Sequence, residues 1–220
     1  MKAIPLETFS STIVRESLHA VYAMKALLAV TGKGAAELTA EDIAANFQLA
    51  KPDDELADSI RRNATTAAEA AAIIFVHSTC ENAVFQLIEL LTKYDPEPWL
   101  FSITKKQVSF EDVSSATRDQ IRDRLLGDYL EVLERKSFPE KVDRLLSAIQ
   151  PPAVSGIIPN FEFKRDDFVA IDELRHQLTH EPKFSRPIED APSKLTYLVN
   201  TLQFLVALAE RKYPGTQKPF

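Results

Sequence analysis

The stretch LTYLVNTLQFLVALA, residues 195–209, decides the fold class. Its Leu195, Leu198, Leu202, Leu205 and Ala209 recur at alternating steps of three and four. That is the spacing of one face of an α-helix, not the two-residue alternation of a strand. Asp190 and Pro192 stand before it and Pro214-Gly215 after it, an opening and a stop that suit a long closing helix.

Working outward, the same period recurs almost everywhere. Upstream, IDELRHQLTH continues a helix through Leu174 and Leu178, capped by Asp166 or Asp167. It should stop at Glu181-Pro182, because the residue before proline is pushed out of the helical region. The segment Pro151 to Phe163 reads as a long irregular loop. Before it, Ser137, Pro139 and Glu140 make a Ser-x-x-Glu capping box for a helix ending ahead of Pro151. A helix from about Ser115 to Lys136 is preceded by a brief extended piece near Val108 and a proline-bearing loop, Tyr94 to Trp99. In the first half, a long helix builds through DELADSIRR and reaches Lys93, with a break expected near Asn63 to Thr66. Its Ile73, His77, Cys80, Val84, Leu87 and Leu91 share one face. Thr39 caps a short helix, TAEDIAANF, and a first helix runs from about Ser11 to Thr31 with Gly32 as its stop. The fold class is all-α.

Composition agrees. Only 5 of 220 residues are glycine, about 2% against a usual ~7%, which argues against hairpin-rich barrels, Rossmann folds and P-loops. A net charge of -6 argues against a broad duplex-DNA-binding face. TAEDIAANF followed by DSIRR is a poor helix-turn-helix, lacking a glycine-bearing turn into a basic recognition helix. One cysteine, Cys80, permits no internal disulfide. The longest apolar run is Ala70 to Val76, short of the ~20 residues that span a bilayer, and MKAIPLETFSSTIVRESL lacks a signal-peptide core. A cytoplasmic protein with no membrane partner is expected.

The sharpest chemical signal is LRHQLTH, residues 174–180, which holds two of the four histidines. His176 and His180 are four apart, as in His-Glu-x-x-His zinc proteases, but the second position is Gln177 and no third ligand motif follows. Without the glutamate a catalytic zinc has no general base, so no metal and no cofactor are expected. The other pairing is Arg175 with His180. A guanidinium presents a planar fork to phosphate oxygens, and an imidazole takes and returns a proton near neutrality. From Leu174 to Arg186 the chain holds Arg175, Lys183 and Arg186 against Glu181 alone, a basic patch in an acidic protein. These groups could cleave RNA without metal, with the RNA's own 2′-hydroxyl as nucleophile.

IIFVHSTCENAVFQLIELL with Glu81, then IDELRHQLTH, then the leucine-rich closing helix, resembles the HEPN superfamily of small helical bundles, whose signature is Arg-x4-6-His with a polar residue after the arginine. Here that residue is His176. The resemblance covers about residues 66–213. It implies an up-and-down bundle that dimerises so that two Arg-His pairs share a cleft. It also implies either a metal-independent endoribonuclease of toxin or abortive-infection type or a non-catalytic interaction module. By that likeness Arg175 stabilises the scissile phosphate, His180 is the acid/base, His176 a polar helper, and Glu81 a weaker carry-over. RNA, a second copy of the chain, and an antitoxin or other defence-system protein are the implied partners. Residues 1–65 are read as an N-terminal helical extension, 66–213 as the bundle and 214–220 as a tail.

The same residues have ordinary readings. Arg175 can pair with Asp172 or Glu181 on the surface, and His180 can cap its helix. His77 and Cys80 read as buried packing residues, Trp99 as an anchor for its loop, and Glu81 as either an exposed charge or a cleft carboxylate.

Overall fold

The computed structural model describes residues 4–48, 50–100, 103, 116–150, 157–180 and 188–213. The extended piece near Val108, the stops at Glu181-Pro182 and Pro214-Gly215, most of the 151–163 loop and the 214–220 tail lie outside them. Among the described residues every element is helical; Ile158 and Phe161 share a single antiparallel bridge. The helices are α1 (Leu6–Phe9), a π turn (Ser10–Val14), α2 (Arg15–Glu37), α3 (Ala40–Phe47), α4 (Asp54–Tyr94), α5 (Glu97–Leu100), α6 (Arg118–Glu134), α7 (Phe138–Ile149), α8 (Arg165–His180) and α9 (Ala191–Lys212).

Three helix starts are written in side chains. Thr39 with Asp42, Thr117 with Gln120, and Ser137 with Glu140 each form a complete capping box, satisfying two orphan backbone donors at once. The Thr39 hydrogen bonds hold the Asp42 carboxyl below its ordinary range. Helix ends are less conventional. Gln48 and Gln150, not glycines, take the left-handed conformation that closes α3 and α7.

Two expectations need correction. The helix predicted to stop at Gly32 continues to Glu37, because Ala35 is buried and its packing outweighs the ~1 kcal/mol that glycine costs a helix. The break expected near Asn63 to Thr66 is absent, and α4 runs unbroken. Thr66, Ala70 and Ile73 are all buried on its packed side, and that burial overrides the weak helix propensity of Asn-Ala-Thr-Thr. The helix starts of α8 and α9 also differ slightly: Asp166 and Asp167 lie in the first turn of α8 instead of capping it, and α9 begins one residue before Pro192.

The chain forms two compact units. The first comprises Met1–Arg15, Glu81–Arg165 and Asn200–Phe220; the second comprises Glu16–Cys80 and Asp166–Val199. The 65/66 position falls inside α4. In the first unit Trp99, Phe138, Leu145, Phe204 and Leu205 are buried. Phe163 stacks on Phe204 at 5.6 Å, Tyr213 donates to Asp95 at 2.6 Å, and Lys212 donates to the Ala148 carbonyl at the end of α7. Burial and Asp95 together push the Tyr213 phenol up. In the second unit Ala40, Ile43 and Ala57 form a small cluster flanked by Leu38 and Ile60, while Phe168, Ile171, Leu195 and Leu198 complete the core. By length and composition α4 is the one described helix that could cross a bilayer, yet half of its most apolar window is buried inside the protein, as befits a core helix.

A non-glycine residue at left-handed φ is strained by about 1–2 kcal/mol. Gln48 has φ 55°, so Gln48→Gly should stabilise the protein by up to about 1 kcal/mol, raising the melting temperature by about 2–4 °C. A melting temperature that falls would refute the assignment of strain.

Candidate functional site

The site grows from the stripe that α8 turns inward. Phe168, Ile171, Asp172 and Arg175 are spaced three, one and three apart, so they lie along one face. The first two are buried apolar residues, whereas Asp172 and Arg175 are partly covered. A helix that turns charge toward its core needs polar partners there, and α4 supplies one in His77, which is 0% exposed.

His77 Nε2 lies 2.8 Å from Asp172 Oδ1, and Arg175 Nε lies 3.3 Å from His77 Nδ1. Arginine can only donate, so Nδ1 is the acceptor and carries no proton, while Nε2–H donates to the carboxylate. The partners therefore assign a neutral imidazole in the Nε2–H tautomer. The chain of bonds runs from carboxylate through imidazole to guanidinium. It fixes the Nε edge of Arg175 and thereby the plane of its fork. One turn further on, the Thr179 hydroxyl donates to the Arg175 carbonyl at 2.9 Å.

The opposite side of α8 is solvated. His176 and His180 are both exposed, and their ring centroids stand 4.4 Å apart, tilted by 53°. Helical phase explains the pairing. Four residues bring side chains nearly into line, whereas the five from Arg175 to His180 leave them about 140° apart around the axis. The backbone thus brings His176 and His180 together and sends Arg175 toward His77.

Glu81 belongs to the first unit. Its carboxylate meets Lys141 Nζ at 2.6 Å, with the two side chains 18% and 6% exposed, and the same ammonium lies 5.8 Å from the Phe85 ring. Glu81 is therefore a largely buried ion-pair partner rather than a bare surface charge. Arg175 contacts His77, and Asp172 is His77's partner as well. Cys80 is a buried thiol that burial pushes up to about 12, and Trp99, expected in a loop from Tyr94 to Trp99, lies instead in the short helix α5 and is 1% exposed. Among the described residues no group of three or more His, Cys, Asp or Glu could hold a metal ion.

His77 is the site residue that periodicity alone missed. It sits on an apolar stripe and looks like packing. The signal lay on the other helix, where Asp172 and Arg175 occupy the inward positions that continue Phe168 and Ile171. No protein family matches the chain, and comparisons with curated proteins and with solved structures found no match.

Removing one partner from a buried hydrogen-bonded group costs about 1–3 kcal/mol. Asp172→Ala and His77→Ala should each destabilise in that range by urea unfolding, and the double variant should cost clearly less than their sum. Additivity within about 0.5 kcal/mol would show that the two do not act together. The raised thiol also has a consequence: the native protein at pH 8 should react with a thiol reagent only as fast as it opens, and at full rate in denaturant.

Proposed function

We propose that the chain is a metal-independent endoribonuclease of toxin or abortive-infection type, with Arg175 stabilising the phosphate and His180 as the acid/base. One observation carries the reading. Arg175 is held by a buried imidazole that the partly covered Asp172 carboxylate anchors, near the end of a helix whose next turn presents two exposed histidines. A surface arginine kept only for solubility needs no such support, whereas an arginine that must meet a phosphate in one orientation gains from it. The resemblance of IDELRHQLTH and its flanking helices to the HEPN pattern points the same way.

The reaction follows from the groups. His180 accepts the proton of the RNA 2′-hydroxyl as O2′ attacks the adjacent phosphorus. The guanidinium of Arg175 stabilises the charge that gathers on the non-bridging oxygens. The bond to the 5′-oxygen breaks, and the imidazolium returns its proton to that leaving group. The products are a 2′,3′-cyclic phosphate and a 5′-hydroxyl, with no redox change and no water consumed. His176, beside His180, steadies the ring. In a homodimer two such pairs would face one substrate.

A second reading, the non-catalytic HEPN-like interaction module of a defence or toxin system, draws on α2. That helix exposes Tyr22, Leu27 and Val30, at 64%, 50% and 67%, apolar surface suited to another protein.

Wild type, Arg175→Ala and His180→Ala, induced in bacteria and then purified, separate the two readings. With labelled RNA in excess EDTA, wild type should arrest growth and release 2′,3′-cyclic ends, and each folded variant should cut at least about 10²-fold more slowly. Wild type that leaves RNA intact with or without metals, and variants that behave identically, would leave the interaction module standing.

A further inference from the structure

We infer that His176 and His180 together chelate one divalent transition-metal ion of the zinc, nickel or copper kind, and that this ion withholds His180 from proton transfer. The second clause rests on the proposed nuclease reading; the first does not.

The chelate is read from the geometry. Both rings are exposed and one helical turn apart, with centroids 4.4 Å from each other. Metal–imidazole bonds are about 2.0–2.1 Å long, so two nitrogens on one ion stand ~3 Å apart. Rings already this close reach that separation by small side-chain rotations, with no backbone movement. The 53° tilt shows that the rings are not stacked face on face. Neutral imidazole suits zinc, nickel and copper and is a poor ligand for magnesium or calcium. Glu173, also exposed, is one turn before His176 and adds negative charge on the side from which a cation would approach.

Coordination number sets the role. Two imidazoles fill two positions and leave the others open to water, and among the described residues no third His, Cys, Asp or Glu joins the pair. An ion held by two side chains exchanges readily, unlike the closed four-ligand sites that hold a fold together. Copper should bind more tightly than nickel or zinc, following the general order for nitrogen donors. A metal bound at an imidazole nitrogen occupies the lone pair that a general base needs. Occupancy and acid/base work at His180 are then mutually exclusive, and the ion is an inhibitor and not a cofactor.

The untagged full-length protein tests this with copper, nickel and zinc ions by titration calorimetry and by retention on a nickel-charged resin. One equivalent per chain should bind, EDTA should remove it, and His176→Ala and His180→Ala should each weaken binding at least tenfold. His19→Ala, at an exposed position of α2, should bind as wild type does. Absence of binding by wild type, or undiminished binding by the double His176→Ala/His180→Ala variant, overturns the chelate. The regulatory clause has its own readout, the ratio of RNA cleavage rates without and with zinc. Wild type should be suppressed at least tenfold, while His176→Ala, whatever its rate in EDTA, should have a ratio near one. If wild type binds metal but cuts no RNA in EDTA, the regulatory clause falls with the nuclease reading and the chelate stands.

Discussion

An imidazole with no exposure to water must have its nitrogens satisfied inside the protein, and much of the second unit follows from that demand at His77. A buried polar group left unpaired costs about 1–3 kcal/mol, comparable to burying a whole leucine side chain. Asp172 and Arg175 meet the demand from adjacent turns of α8. The inward face of that helix is consequently apolar at Phe168 and Ile171 and polar beyond them. The trio also fixes the register of α8 against α4, since sliding either helix by one turn, about 5.4 Å, would break both bonds.

The trio is not the cheapest way to join two helices. Replacing a buried polar or ionic cluster with well-packed apolar residues is often neutral or stabilising. Leucines at these positions would serve packing alone. What they would not supply is a guanidinium held in one plane near a helix end. That excess of polar structure over packing need distinguishes Arg175 from a surface cation such as Arg135, whose pairing with Glu131 leaves both side chains well exposed.

How much of this was legible in the sequence depends on the range of the force involved. Local rules read well: the leucine stripe of α9, the cap at Thr39 and the capping box at Ser137 all depend on residues within a few positions of each other. Rules that weigh local cost against distant packing read poorly. Gly32 and the Asn63 to Thr66 stretch look like interruptions, and tertiary burial of Ala35, Thr66 and Ala70 carries both helices through. Thr117 with Gln120 is a signal of the same local kind, and it starts α6 at Arg118 and not near Ser115. His77 lay beyond any single-helix reading, because its role is defined by what α8 places opposite it. Glu81 is similar, as its partner Lys141 is 60 residues away.

Helical phase finally constrains what the Arg-x4-His spacing can mean in this chain. On a continuous helix the two residues leave the axis in directions about 140° apart, so the proposed function requires the length of the arginine and the position of His180 in the last turn of α8 to bring them to one phosphate. Arg175 Nε is bonded on the His77 side, while His180 stands beside His176 in the last turn of α8. Under the proposed function and the inferred chelate, His180 would face two demands, a proton to move beside Arg175 and a neighbouring imidazole with which to share a cation. The backbone favours the second arrangement by its i,i+4 register, and the buried relay favours the first by fixing the guanidinium. If the proposed nuclease and the inferred chelate share the end of α8, one imidazole lone pair is contested there and ion concentration would decide which chemistry it serves.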